Sequence, residues 1–281
     1  MFRICSLYSG SSGNSIFLSS SEDSTTSYEE RLSAPSRSGT KVLVDAGVSG
    51  KRLQAAMRAI GEDLDDLDGV LLTHEHIDHM AGIGVIVRRH KLPLYLTEKT
   101  WEALTRLDIG PIPDHLIRLY QAGSTFDIKE LTVRSFATPH DAVDPTGYRF
   151  FSKSKSVSVF TDIGGMHPDT MEVIAGSDAV FIESNYDKDM LWNGSYPWPL
   201  KKRIDGEFGH LSNHACAAAA AALLESGTTR FILSHLSQEN NSPSVALETT
   251  VGHLAGIGAA AGRDYFIQVA RRFDPGDPWL V

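Results

Sequence analysis

Short apolar runs alternate with segments of helical spacing along most of this chain. Residues 2–8 and 15–19 predict two strands around a small Ser/Gly loop at 9–14, and residues 41–47 predict a buried strand that ends in Asp and Gly. The same pattern predicts strands at 70–73, 92–96, 131–137, 156–162, 178–183, 229–234 and 264–272, and helices at 50–60, 80–90, 98–107, 213–226 and 244–262. Because strands and helices alternate, the pattern indicates an α/β or α+β fold.

Residues 19–40 break this pattern. Eleven of these 22 residues are Ser or Thr, and Leu32 is the only aliphatic residue larger than Ala. Such a composition buries too little apolar surface to offset the entropy lost when a segment becomes ordered. We therefore expect a flexible insertion at 19–40 within a single domain that spans residues 1–281.

Charge and composition narrow the class of protein. The 26 basic and 35 acidic residues give a net charge of −9, which excludes a generally basic nucleic-acid binder but leaves a local basic groove open. The two cysteines, Cys5 and Cys216, exclude a disulfide framework and an all-cysteine zinc site. No apolar run reaches the roughly 18–20 residues of a membrane helix, and residues 1–5 lack a signal-peptide profile. We expect a cytoplasmic protein without membrane contact.

The strongest chemical signal directly follows the predicted strand at 70–73. Residues 74–79 read His-Glu-His-Ile-Asp-His, and neutral imidazoles with a carboxylate are the ligands of zinc and similar divalent ions. In an extended strand end, His74 and His76 point the same way. Asp78 and His79 follow on the next turn, where they could serve a second ion about 3.5–4 Å away, as in two-metal hydrolases.

This H-x-H-x-D-H cluster resembles the hallmark of the metallo-β-lactamase fold superfamily. Four further residues match the superfamily's other motifs in chain order, and each ends a predicted strand or follows it closely. They are Asp45, His140, Asp162 and His235. The resemblance implies a four-layer αβ/βα sandwich, with two β-sheets flanked by helices, and two divalent ions. It implies one ion on His74, His76 and His140, a second on Asp78, His79 and His235, a bridging Asp162, and an Asp45 that braces the histidine loop.

The substrate depends on other segments, because class B β-lactamases and glyoxalases share the metal motifs. Glu183 ends a strand and His210 precedes the Ala-rich helix, which resembles the ribonuclease Z branch, where such a pair relays a proton. A more specific resemblance, to the YycJ (WalJ) family, covers residues 6–15, 185–191, 196–204 and 234–241. That resemblance implies a metal-dependent hydrolase of phosphodiester bonds, a 5′-to-3′ exonuclease acting on DNA.

These resemblances imply a mechanism in which a metal-activated water is the nucleophile. Asp78 would act as ligand and base, and His210, oriented by Glu183, would protonate the departing 3′-oxygen. The histidine-rich donor set favours Zn²⁺ or Mn²⁺ over Mg²⁺, which prefers oxygen ligands.

Several polar residues are candidates for substrate contacts. The basic run at 201–203 lies near Trp198 in the sequence, and such a mixture could hold phosphates and stack a base. The Ser/Gly loop could offer backbone and side-chain donors to a phosphate. The candidate substrate-binding residues are Ser12, Asn14, Asn185, Lys201 and Arg203.

Three alternatives remain open from the sequence. A metal-dependent hydrolase of a small ester, thioester or phosphodiester would account for the metal motifs and the acidic composition. An endoribonuclease is less favoured, because the chain lacks an obvious basic exosite arm. A non-catalytic metal-binding protein would have to keep the whole ligand set without using it.

Overall fold

The computed structural model describes residues 1–20 and 39–281, which contain fourteen strands and nine α-helices. In chain order, the strands are β1 (Phe2–Tyr8), β2 (Ser15–Ser20), β3 (Lys41–Val44), β4 (Gly69–Leu71), β5 (Leu94–Thr97), β6 (Ile117–Tyr120), β7 (Thr125–Ile128), β8 (Leu131–Ala137), β9 (Thr146–Ser152), β10 (Lys155–Phe160), β11 (Ala179–Glu183), β12 (Arg230–Ser234), β13 (Phe266–Val269) and β14 (Trp279–Leu280). The helices are α1 (Gly50–Ala59), α2 (Ile77–Met80), α3 (Ile83–His90), α4 (Glu98–Leu104), α5 (Pro168–Ile174), α6 (Lys188–Asn193), α7 (Trp198–Ile204), α8 (Asn213–Glu225) and α9 (Pro243–Gly256).

The strands form two sheets of seven strands each. The first has the order β14-β1-β2-β3-β4-β5-β6, and the second has the order β13-β12-β11-β10-β9-β8-β7. In the first sheet β3 to β6 are parallel, and in the second β10 to β13 are parallel. β8 runs in the direction of β10, because both are antiparallel to β9. The carboxyl ends of β8, β10, β11 and β12 therefore lie along one edge.

Apolar side chains alternate between the faces of each strand and so build separate cores. In β1 and β2, Phe2, Ile4 and Leu18 pack toward the second sheet, whereas Phe17 packs toward the helices outside the first. α1, α3 and α4 cover the first sheet, and α8 and α9 cover the second. The result is the predicted four-layer sandwich with two sheets between layers of helices.

Most predicted elements are present, with shifted ends. The helix predicted at 80–90 is two helices, α2 and α3, separated at Gly82, where a Cβ would lie 2.2 Å from the carbonyl oxygen of Val48. Strands β6, β7 and β9 were not predicted. β6 and β7 lie half exposed at one end of their sheets and so carry no continuous apolar run.

The predicted insertion at 19–40 is described only at its ends. β2 extends through Ser20, whose backbone N–H donates to the carbonyl oxygen of Thr40 at 2.8 Å. Residues 21–38 lie outside the part of the chain that the structure describes, so the flexibility of this insertion stays a prediction. The expectation of a single domain over residues 1–281 also stays a prediction. Within residues 1–20 and 39–281, no helix combines the length and apolar character needed to cross a membrane.

Candidate metal centre

The predicted site residues gather where strands of both sheets end. Asp45 follows β3, Asp162 follows β10 and His235 follows β12, and all three have left-handed backbone conformations, with φ of 61°, 58° and 55°. Such a φ is uncommon for residues other than glycine, and it turns the chain sharply at each strand end. Non-glycine residues in this conformation are often found at functional sites, where the surrounding structure holds them.

Nine side chains at this edge form four overlapping groups of metal-donor atoms, one of which is Asp162/Glu183/His210/His235. In each group the donor atoms lie within 4.8 Å of one another, and the other three groups are His74/His76/His140, Asp78/His79/His235 and His74/His79/Asp162. The first two are the ligand sets that the resemblance implied, and Asp162 lies beside both. Each of these two sets combines residues that follow β4 in the first sheet with a residue that follows a strand of the second.

Neighbouring groups fix which ring nitrogen faces the centre in three of the donor histidines. His79 Nδ1 donates to Asp45 Oδ2 at 2.7 Å, and His140 Nδ1 donates to the carbonyl oxygen of Gly209 at 3.0 Å. His74 Nδ1 lies 3.0 Å from the hydroxyl of Thr73. With each Nδ1 engaged in this way, Nε2 is the atom free to bind an ion, as is usual for metal-binding histidines.

His74 provides a direct test of whether the residues fit a metal ion. Its ring is 1% exposed, and its Nε2 has no hydrogen-bond partner among the described residues. Burial, together with the nearby His79 ring, holds the pKa of His74 well below its usual range. A neutral imidazole with an unpaired, buried nitrogen is the form that binds a divalent ion, so the donor set fits one.

The histidines beside Asp162 favour its ionised form. Burial favours the neutral acid at Asp162, but the His235 and His79 rings hold its pKa well below the usual range. Burial also opposes protonation of His79, yet the carboxylates of Asp162 and Asp45 raise its pKa well above the usual value.

Thr73 is a supporting residue that the sequence analysis missed. Its backbone N–H and its hydroxyl both donate to Asp45, at 2.8 Å to Oδ1 and 2.8 Å to Oδ2. The same hydroxyl lies beside the rings of His74 and His79. Thr73 thus joins the predicted brace, Asp45, to two of the donor histidines. Its position directly before the histidine cluster was the one available signal.

Glu183 and His210 are also adjacent, as the resemblance implied. His210 Nδ1 lies 2.8 Å from Glu183 Oε1, and Oε2 accepts backbone N–H groups from Ile163 and Leu211. Glu183 has no exposed surface, and burial alone would raise its pKa. The contact with His210 instead lowers the pKa of Glu183, which favours the ionised carboxylate that accepts a hydrogen bond from the ring.

A cavity of about 220 Å³ opens onto these groups. Its floor carries donor residues together with His210, and one wall is formed by Leu200, Arg203 and Ile204 of α7. The remaining wall is polar, and its residues are Ser11, Asn185 and Ser237. The cavity therefore places hydroxyl, amide and guanidinium groups around a metal-donor floor.

The predicted substrate contacts divide into two groups. Arg203 and Asn185 line the cavity; Arg203 pairs with Asp141, and Asn185 donates to the carbonyl oxygen of His235 at 2.7 Å. Ser12 is exposed at the loop tip, while the neighbouring Ser11 lines the cavity. Asn14 is only 6% exposed and contacts Asp78.

The structure contradicts the predicted substrate contact of Lys201. Its side chain is 8% exposed, and its ammonium donates to the carbonyl oxygens of Trp192 and Gly194 at 2.9 and 2.7 Å. The sequence pattern could not show this, because Lys201 lies on the inner face of a helix that sequence analysis did not predict.

Trp198 also lies apart from the cavity. It is two residues from Leu200 on α7, a spacing that places two side chains on different sides of a helix. Its ring packs against Trp192 and Lys202, and it remains 60% exposed. Trp198 therefore lies beside one residue of the basic run, and the expectation that this mixture holds phosphates and stacks a base stays a prediction.

Comparison with known proteins places this arrangement in a family. Residues 40–236 match a family model described as the beta-lactamase superfamily domain. The chain is 37% identical over 265 residues to the exodeoxyribonuclease WalJ of Streptococcus pneumoniae, covering 94% of this chain and 92% of WalJ. The chain belongs to the WalJ/YycJ family of the beta-lactamase superfamily. Another member, the exodeoxyribonuclease YycJ of Bacillus anthracis, is 36% identical, and the match covers 85% of this chain and 84% of YycJ.

The superfamily fold is also present in solved structures. The metallo-beta-lactamase fold protein YhfI from Bacillus subtilis superposes with a TM-score of 0.70 over 98% of this chain and 99% of YhfI. Only 16% of the aligned residues are identical, so this likeness concerns the fold alone.

Proposed function

We propose that this protein is a metal-dependent exodeoxyribonuclease that hydrolyses DNA in the 5′-to-3′ direction. The observation that carries the proposal is one cavity lined by members of both metal-donor groups and by His210, whose ring contacts the buried carboxylate of Glu183. The similarity to WalJ and YycJ, both exodeoxyribonucleases, supports DNA as the substrate.

In this proposal two divalent ions, Zn²⁺ or Mn²⁺, occupy the centre. His74, His76 and His140 would hold one ion, Asp78, His79 and His235 would hold the second, and Asp162 would serve as a ligand shared by both. Mixed imidazole and carboxylate ligands suit these metals. When bound, the ions would activate water and neutralise charge that develops on the phosphate oxygens. The four positive charges that they add also offset the acidic character of the chain near the substrate.

The chain's own residues would orient the reactants and move the proton. Asp78 holds one ion and accepts a proton from the attacking water. His210 faces the cavity with its Nδ1 held by Glu183, which leaves Nε2 as the atom that protonates the departing 3′-oxygen. The buried carboxylate of Glu183 therefore holds the ring of His210 in the orientation that a general acid needs.

Arg203 supplies a cation for the polynucleotide. Its guanidinium forms two hydrogen bonds with the carboxylate of Asp141, the residue after His140, and its side chain is about half exposed. The pair fixes the planar guanidinium at the cavity wall. A guanidinium held in this way can donate its remaining N–H groups to a phosphate next to the scissile bond.

The proposal is tested by a nuclease assay with end-labelled polymers. Duplex DNA, single-stranded DNA and RNA, each labelled at either the 5′ or the 3′ end, are incubated with the protein and Mn²⁺ or Zn²⁺. We expect stepwise release of the 5′ label from DNA, and no release by the Asp78→Ala variant. Release from RNA alone, or internal cleavage, would contradict the proposal. No cleavage of any polymer by protein that holds two ions would instead favour a small ester substrate.

A further inference from the structure

The loop of residues 9–14 is joined by backbone hydrogen bonds to the segment that carries Asp78 and His79. The N–H of Asn14 donates to the carbonyl oxygen of Asp78 at 2.7 Å. The N–H of Gly47 donates to the carbonyl oxygen of Asn14 at 2.8 Å, and the N–H of Ala46 donates to that of His79 at 2.8 Å. Three segments that are far apart in the sequence therefore form one hydrogen-bonded unit.

Glycines allow these segments to approach so closely. A Cβ at Gly47 would lie 1.7 Å from the carbonyl oxygen of Asp78 and 2.5 Å from the backbone nitrogen of Asn14. A Cβ at Gly13, whose φ is 143°, would lie 2.3 Å from Cγ1 of Val48. Only glycine fits at such distances, so the loop has a fixed position against the metal-donor segment.

The side chain of Asn14 is oriented by this loop. The N–H of Gly10 donates to Asn14 Oδ1 at 2.8 Å, which directs the amide nitrogen Nδ2 to the opposite side. Nδ2 lies 3.2 Å from Asp78 Oδ2 and 3.3 Å from the Asp78 carbonyl oxygen. It also lies 3.0 Å from His79 Nε2. Because His79 Nε2 is the nitrogen that would bind an ion, that contact would be lost on binding, whereas the contact with Asp78 could remain.

Asp78 Oδ2 is the oxygen that faces the other two members of its donor group. It lies 3.4 Å from His235 Nε2 and 3.6 Å from His79 Nε2. The hydrogen bond from Asn14 therefore holds the carboxylate in the rotation that directs Oδ2 at both rings. The first donor group has other supports, since Thr73 and Gly209 orient His74 and His140.

We propose that Asn14 is a positioning residue that selectively determines occupancy of the second ion site, formed by Asp78, His79 and His235. This inference rests on the two-ion centre of the proposed function. Without the amide donor the Asp78 carboxylate can rotate away, and the ion would lose one of its ligands. Loss of a supporting hydrogen bond of this kind typically weakens metal affinity about 10–100-fold. The first site keeps its own supports and its affinity.

The test measures metal binding, not activity. Zn²⁺ is titrated calorimetrically into metal-free full-length protein, and bound metal is counted by elemental analysis after dialysis. For wild type we expect two equivalents. For Asn14→Ala we expect one equivalent with unchanged affinity and a second weakened about 10–100-fold. The control is Asn193→Ala, an exposed asparagine at the end of α6, which should keep both constants.

Folding of each metal-free variant is checked by circular dichroism. If Asn14→Ala does not fold, Asn14→Leu replaces it, because leucine keeps the volume and branching of the side chain but has no hydrogen-bond donor. For this variant we expect the same weakening of the second ion site alone. Two unchanged constants would overturn the proposal, and so would equal weakening of both sites. A wild type that binds fewer than two ions would overturn this proposal and the two-ion centre together, whereas the polymer assay judges the nuclease activity separately.

Discussion

His210 Nδ1 lies 2.8 Å from Oε1 of Glu183, and the same oxygen lies 2.8 Å from Nδ1 of His235. One buried carboxylate therefore contacts both the proposed proton donor and a proposed metal ligand. Its other oxygen is held by two backbone N–H groups, so the carboxylate cannot turn to favour one ring. The position of His210 relative to the metal centre is thus fixed through Glu183.

Replacing His210 by alanine should separate proton transfer from metal binding. We expect turnover of DNA to fall about 10²–10⁴-fold, because the departing oxygen loses its proton donor. Bound metal, counted by elemental analysis, should stay at the wild-type value, since His210 belongs to neither ligand set. Loss of metal from this variant would show that His210 is a ligand instead. Glu183→Gln, which keeps the shape of the side chain, should also lower turnover and change its pH profile.

Asp162→Ala should impair metal binding itself. Asp162 is 2% exposed and lies 3.1 Å from His79 Nε2 and 3.8 Å from His140 Nε2, between the two donor groups. Its loss removes a shared negative ligand, so both ions should bind more weakly and activity should fall with them. Metal content after dialysis and Zn²⁺ titration measure this effect. A variant that keeps nearly full occupancy of both sites would contradict the bridging role.

Arg203→Ala should weaken the binding of DNA more than it lowers the maximal rate. The guanidinium lies in the cavity lining and pairs with Asp141, which belongs to neither proposed ligand set, so we expect KM to rise and kcat to change little. A matched control is Arg263→Ala, since Arg263 also pairs with an aspartate, Asp264, but precedes β13 at the opposite edge of the sheet. Steady-state kinetics on labelled DNA at fixed salt compares the two. Equal KM values for both variants would exclude a substrate contact by Arg203.

Tyr148 and Tyr265 should respond differently to the same substitution. Both are fully buried, but Tyr148 donates to the carbonyl oxygen of Leu72 at 2.5 Å, next to the metal-donor segment. Tyr148→Phe leaves that carbonyl without its donor, so we expect a loss of about 1–3 kcal/mol in the free energy of unfolding. The hydroxyl of Tyr265 has no hydrogen-bond partner among residues 1–20 and 39–281, so Tyr265→Phe should cost little or nothing. Urea unfolding of both variants measures the difference; similar losses would contradict this account.

The sequence predicted the position of the donor residues well because each follows an apolar strand. Strand ends such as Asp45 and His235 can be recognised locally, from an apolar run that stops at a polar residue. The parallel order of the strands then brings these residues to one edge, so local pattern and topology agree. The four layers of the fold followed from resemblance, and the two sheets and the flanking helices confirm them.

Contacts between distant segments could not be predicted in the same way. The burial of Lys201 depends on carbonyl groups of the preceding helix and turn, and the role of Asn14 depends on a loop packed against residues more than sixty positions away. Neither has a local signature, because a lysine or an asparagine in a polar segment is equally typical of an exposed position. The half-exposed strand β6 was missed for a related reason, since its apolar residues form no continuous run.

Each proposed ion would be bound by residues from both sheets, and this has a consequence for the lifetime of the folded protein. Ligands that lie on opposite sides of the inner core make a bound ion a cross-link between two halves of the sandwich. An ion that binds only the folded chain stabilises it by about 2.7 kcal/mol when its free concentration is 100 times the dissociation constant. Scarcity of metal would then do more than stop hydrolysis. It would raise the unfolded fraction, expose the chain to proteases, and so lower the amount of protein that later metal could reactivate.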